Sequence, residues 1–184
     1  MLADGGKLRR MDPQNDLTQL LHDRWEIADT FHRYAFGLDH EDADALASAL
    51  TEDCVLDFTA AGKKLGIEFP VLSGRELVLQ TLLPMLGPLD TSHTTSNLQI
   101  EVSGDGATAH GYLMSQHFMP GDGPRGGSDY ALLMNRYDAE LERDGSRWRF
   151  KHVRIDNAWA QGDPGILTAL AAYRVARNRS RKRE

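Results

Sequence analysis

Asp39 and His93 are the side chains of this sequence best suited by type and position to move a proton. Asp39 falls four residues after Ala35 and eleven after Ala28, so it extends the apolar stripe of an amphipathic helix. A carboxylate there faces the core at a helix C-terminus, where the dipole disfavours negative charge. Burial and dipole together predict a raised pKa and a better proton acceptor near neutrality. The competing reading makes Asp39 a cap for the next helix, which starts near Asp42. His93 stands in a polar run, Thr91-Ser92-His93-Thr94-Thr95-Ser96-Asn97, read as the connection between a helix and a strand. Histidine trades protons near neutral pH, and a carboxylate that orients it turns it into a general base. The competing reading leaves it merely exposed on a loop.

Other candidates depend on which way they point. Tyr34 lies one turn before Leu38 on the same helix flank; its phenol can donate to a ligand oxygen or simply reach water from the core. His117 and Ser115 share strand parity with Leu113, Asn135 with Leu133 and Tyr137, and Arg154 with Trp148 and Phe150. Each is read as facing an internal hollow, and a bulge would reverse any of them. His117, His152 and Asp156 make a metal site on paper only, because no ligand spacing supports it, so no metal is assigned. The sole cysteine, Cys54, reads as packing. There is no P-loop, GxGxxG, HExxH or GxSxG, and no cofactor is assigned.

These residues need a frame. With 184 residues, the chain suffices for one good core and not for two comfortable domains. Residues 1–12 read as a mobile arm, 13–173 as a single domain and 174–184 as a basic tail. The net charge is −6; with the tail at +5 and the arm at +1, the body carries −12. An acidic body argues against a nucleic-acid surface. No run approaches the ~20 apolar residues of a membrane span. The opening residues lack an apolar signal segment and the single cysteine permits no internal disulfide, so the expected compartment is the cytoplasm.

Apolar residues at three- and four-residue steps predict a helix from Asp16, as N-cap, to about Leu38, with Gly37 as its stop. A second helix is read at Asp42 to Leu50, a brief strand at Val55 to Phe58, a strand or loop at Lys63 to Phe69, and a helix at Arg75 to Leu86 that Pro84 kinks or shortens. Strands follow at Leu98–Val102, Ala107–Phe118, Tyr130–Arg143 and Arg147–Asn157, with turns at Gly104-Asp105-Gly106 and Asp144-Gly145. Pro120 to Gly127 reads as a loop, and Ile166 to about Ala176 as a last helix. Helices first and antiparallel hairpins afterwards describe an α+β fold.

In order and spacing, Tyr34-Ala35-Phe36-Gly37-Leu38-Asp39, Asp42-Ala43-Asp44-Ala45-Leu46, Phe58, His93-Thr94-Thr95-Ser96-Asn97, Val102-Ser103-Gly104-Asp105-Gly106-Ala107, Trp148-Arg149-Phe150 and Trp159-Ala160-Gln161-Gly162-Asp163 resemble the SnoaL-like polyketide cyclase/dehydratase group of the nuclear transport factor 2-like superfamily. That group includes scytalone dehydratase and bile acid dehydratase. The resemblance implies a cone: a curved, mostly antiparallel sheet packed on three to four helices, with an internal apolar pocket. It implies a cofactor-free lyase or isomerase, dehydratase- or cyclase-like, acting on a small apolar polycyclic or aromatic substrate. Asp39, His93 and Tyr34 match its catalytic positions, and Arg154 its basic pocket residue. A homo-oligomer, dimer or trimer, is the implied assembly. Two other readings stay open: a non-catalytic binding module, and an assembly subunit like the oxygenase β subunits of this fold, which predicts little pocket and a large apolar outer sheet face.

Overall fold

The computed structural model describes residues 13–120 and 129–168. The expected arm, most of the 120–127 loop, the far part of the last helix and the basic tail lie outside the described residues. Helix α1 (Pro13–Asp39) is followed by α2 (Ala43–Ser48), β1 (Leu50–Asp57), α3 (Thr59–Leu65), β2 (Val71–Ser73) and α4 (Arg75–Leu86). Four long strands then run as β3 (Asp90–Ser103), β4 (Gly106–Phe118), β5 (Tyr130–Asp144) and β6 (Arg147–Gly162), closing on a 3-10 turn, Pro164–Leu167. They form one six-stranded sheet in the order β2-β1-β6-β5-β4-β3. Only β1 and β6 run parallel, so the sheet is mostly antiparallel and the fold is α+β.

Bulges curl this sheet, because an extra residue bends its strand and increases the twist. In β3 the ladder slips between Ser96 and Gln99, where Asn97 adopts φ 55°. In β6 it slips twice, leaving Lys151 and Ala158 without partners on β5. The concave face takes α1: Ile27, Phe31, Tyr34 and Leu38 are buried, and Phe31 meets Phe150 edge-on at 4.7 Å. Gly37 does not stop this helix. It lies inside α1, where a Cβ would sit 2.5 Å from the backbone nitrogen of Leu46, so its missing side chain lets α2 pack against α1. Gly37→Ala should therefore destabilise the fold by ~1–3 kcal/mol through overpacking, read as a lower urea midpoint.

The other end of α1 is held by charge. Arg143 on β5 donates two hydrogen bonds to the Asp23 carboxylate, at 2.6 and 2.7 Å, and Trp148 Nε1 adds a third at 3.1 Å. The hydrogen bonds from Arg143, opposed by burial and aided by Trp148, hold Asp23 down to about 2. Asp23→Asn is expected to cost ~2–3 kcal/mol of unfolding free energy at neutral pH, because a charge-assisted pair is lost with Arg143 left behind.

Several elements differ from the pattern-based reading. Helix α1 starts at Pro13, with Asp16 in its first turn where an acid suits the dipole, and α4 runs through Pro84 to Leu86. Asp42, not Asp39, caps α2, accepting from the Ala45 N–H at 2.9 Å. The Lys63–Phe69 segment is neither strand nor simple loop: its first residues belong to α3, which ends at Gly66 in the left-handed region, φ 71°. Most important for the site, β3 begins at Asp90, so His93 is a strand residue rather than a loop residue.

Candidate functional site

A cavity of about 290 Å³ opens between the concave sheet face and helices α1, α3 and α4. Its walls are mostly apolar, with Leu38, Phe58, Leu82, Leu133 and Ile155 among them. Most of the polar exceptions gather on the sheet side, where His93, Ser115, His117 and Asn135 face inward, and on α1 and β5, where Tyr34 meets Tyr137; Glu68, Thr81 and Thr168 line it elsewhere.

Strand geometry explains the gathering. Thr91, His93 and Thr95 alternate with Asp90, Ser92 and Thr94 along β3, so the first three share a face. Across the ladder, His93 sits opposite Ser115, and Thr91 opposite His117. The C-terminus of α1 lies against this edge. Asp39, its last residue, accepts from His93 Nδ1 at 2.6 Å and from the Thr91 hydroxyl at 2.8 Å through Oδ1, and from the His93 backbone N–H at 2.8 Å through Oδ2. One carboxylate thus fixes both the strand and the imidazole on it. The His93 side chain is only 4% exposed, and its Nε2 has no hydrogen-bond partner among the described residues.

The charge state of Asp39 overturns the expected direction. Burial does raise its pKa and is the largest single influence. The hydrogen bonds and charge of His93, with the Thr91 hydroxyl, outweigh it together, and the net shift is downward. Asp39 is therefore a fixed anion that orients His93, not a proton acceptor in its own right. Since a carboxylate only accepts, Nδ1 carries the proton of the neutral imidazole and Nε2 keeps its lone pair toward the cavity.

The remaining candidates divide. Tyr34 lines the cavity, and burial, the neighbouring Tyr137 and their shared hydrogen bond push its phenol well above the ordinary tyrosine value. One O–H of that pair is left to meet a ligand oxygen. His117 and Asn135 also line the cavity, and both are buried. Asn135 donates to the Ser115 hydroxyl at 3.4 Å and accepts from Asn157 at 3.0 Å. Arg154 is the failure. The unpaired Lys151 reverses the parity of β6, so Val153, Ile155 and Asn157 turn inward and Arg154 is exposed on the outer face. Two contributors escaped the residue-by-residue reading. Thr91 was hidden in a polar run without hydropathy alternation, and Asn157, which steadies Asn135, lay beyond the same bulge. His152 and Asp156 do not join His117: Asp156 pairs with Lys64 at 2.7 Å on the outside.

Residues 19–154 match the SnoaL-like domain family. Terrestric acid biosynthesis cluster protein E of Penicillium crustosum is 31% identical over 154 residues, spanning 82% of this chain and 93% of that protein. Two solved structures share the fold. The hexachlorocyclohexane dehydrochlorinase LinA-type3 of Novosphingobium barchaimii has a TM-score of 0.61 at 21% identity, covering 82% of this chain and 95% of its own. A nuclear transport factor 2-like protein with a cystatin-like fold from Novosphingobium aromaticivorans has a TM-score of 0.61 at 22% identity, covering 81% and 92%. At these identities the two structures speak to the fold alone. Among the described residues, no helix is long and apolar enough to cross a membrane.

Proposed function

The chain belongs to the SnoaL-like domain family, and from that premise we propose that it is a cofactor-free lyase or isomerase acting on a small apolar cyclic or aromatic compound. The observation that carries this reading is the 2.6 Å Asp39–His93 pair, with His93 on the wall of an apolar cavity. His93 Nε2 takes a proton from a carbon beside an electron-withdrawing group. The electron pair moves onto that group, or expels a leaving group from the next carbon. Asp39 stays ionised throughout and balances the imidazolium that forms. A hydroxyl of the Tyr34–Tyr137 pair donates to the oxygen that gains charge, which is the oxyanion contribution. Proton transfer of this kind between nitrogen and carbon needs no redox partner.

A fold does not fix the reaction, and LinA-type3, which shares this fold, is a dehydrochlorinase by name. Dehydration, isomerisation and cyclisation share the first step, so the test targets that step. The bicyclic ketone 2-tetralone in D2O should exchange its α-protons faster with the protein than without it, followed by proton NMR. No acceleration with 2-tetralone or with smaller cyclic ketones would hand the lead to the binding-module reading. The assembly-subunit reading predicts little pocket, and the cavity weighs against it.

The same reading includes self-association. The outer sheet face sets Met114, Met134 and Trp159 in register, with Trp159 46% exposed, and Phe118 stacks on Tyr130 beside them. Sedimentation at micromolar concentration should show a homo-oligomer that Trp159→Glu dissociates. A monomer alone would overturn this part.

A further inference from the structure

One wall of the cavity is a strap. Asp57 and Val71 are direct partners on the β1–β2 ladder, so the chain leaves the sheet after Asp57 and returns beside its starting point. Residues 58–70, with helix α3 among them, make up the excursion. A segment whose ends are closed on each other by a strand pair can swing without disturbing the sheet beneath it. Phe58, Ala61, Leu65 and Phe69 on the strap line the cavity, while Lys63 and Lys64 are exposed.

The strap is bonded well to itself and poorly to its surroundings. Within it, the Gly62 N–H donates to the Phe58 carbonyl at 2.8 Å and the Ile67 N–H to the Gly62 carbonyl at 2.9 Å; the Phe58 and Phe69 rings lie 5.9 Å apart. Beyond the Thr59–Asp57 bonds at its start, the hydrogen bonds that tie it to the rest of the described residues are both made by Lys64. That ammonium donates to the Asp156 carboxylate on β6 at 2.7 Å and to the Asn157 carbonyl at 3.0 Å. The Lys64 side chain is 51% exposed and that of Asp156 28%. An ion pair so open to water biases an equilibrium by only about two- to fivefold. The strap's apolar side chains face the cavity rather than a filled core, so packing holds it less than it holds the strands.

The mouth of the cavity lies at the same place. Among the described residues that line it, the exposed ones are Glu68, Pro70 and Thr168, two of them on the strap. We propose that residues 58–70 open and close the cavity as one body, hinged beside the Asp57–Val71 pair and latched to β6 by Lys64. The latch also reaches the polar wall, because Asn157, whose carbonyl it holds, gives its own amide to Asn135 at 3.0 Å. Closure thus excludes water and steadies that wall in one movement. The strap's use as a ligand gate rests on the proposed function; its motion does not.

Hydrogen–deuterium exchange of the full chain, read peptide by peptide, tests the motion. The bonded amides of α3 should exchange faster than those of β1 and β6, and Lys64→Met should speed them by a further two- to fivefold or so while both strands keep their rates. Asp156→Asn should do the same, and the double variant no more, since the two residues share one contact. Stopped-flow binding of 2-naphthol, followed by its own fluorescence, tests the gate. Lys64→Met should raise the association and dissociation rates together by about two- to fivefold and leave Kd within about twofold. Unchanged α3 exchange, or faster exchange that spreads through β1 and β6, overturns the strap as a separate body. A rise in dissociation alone would make Lys64 a ligand contact, and unchanged rates would place the entrance elsewhere; either overturns the gate. If 2-naphthol fails to bind a chain whose α3 exchange behaves as expected, the moving strap stands and the cavity is lost as a ligand site, and the proposed function with it.

Discussion

His93→Ala should reduce protein-catalysed α-proton exchange by 10²–10⁴-fold, the usual contribution of a positioned general base. Among the described residues, the variant removes the only cavity-lining side chain that combines a free nitrogen with a carboxylate behind it. Asp39→Asn should fall nearly as far for a different reason. An amide at position 39 must satisfy three donors that now converge on the carboxylate: the His93 ring N–H, the His93 backbone N–H and the Thr91 hydroxyl. Its NH2 is a donor too, so at least one of the three is left facing another donor. Turning the NH2 toward the ring would instead select the wrong tautomer of His93, with the proton on Nε2. The double variant should be no slower than His93→Ala, since the two residues act as one unit. Circular dichroism and melting curves must show both variants folded. An Asp39→Asn protein that is folded and fully active would leave the carboxylate a structural clamp only.

Much of this site was legible before any coordinates, and the exceptions have physical causes. The stripe through Ala28, Phe31, Ala35 and Leu38 carried Asp39 to the core because a helix repeats faithfully over its 27 residues. Strand parity placed Ser115, His117 and Asn135 on the inner face because β4 pairs with β5 without a slip along its whole length. Parity failed on β6, where Lys151 adds one residue and every side chain after it changes face, taking Arg154 out of the cavity and bringing Asn157 in. Hydropathy was silent for residues 90–97, since both faces of that strand are polar and its inner face is matched by Asp39 rather than by apolar contacts. Helix α3 is seven residues long with Gly62 at its centre, where a Cβ would meet the Ile67 carbonyl at 2.5 Å. Seven residues with a glycine among them are too few to show a helical repeat, and tertiary packing enforces the element. The sign of the Asp39 shift was beyond sequence for the same reason: it depends on three donors brought from 52 to 54 residues away.

Acidification should destabilise this protein in a window set by His117. Burial, reinforced by the charge of His93 and opposed by the Ala131 carbonyl and Asp39, lowers its imidazole from 6.5 to about 4 in the folded state. The unfolded chain therefore binds a proton at this position at a pH where the folded chain refuses it. Stability from this group is complete above pH ~6.5 and falls as the pH drops toward 4, by up to ~3 kcal/mol at ~1.4 kcal/mol per unit. Asp23 acts in the same direction but lower down. Its carboxylate is held at about 2, so its contribution is lost only between pH ~4 and 2. The two windows barely overlap, which lets one substitution separate them. Urea unfolding at pH 7, 5.5 and 4.5 should show the wild-type free energy declining across the series. His117→Gln, which cannot titrate, should start lower at pH 7 and decline by ~2–3 kcal/mol less. Parallel declines would mean that His117 reaches water easily enough to take its proton while the protein stays folded.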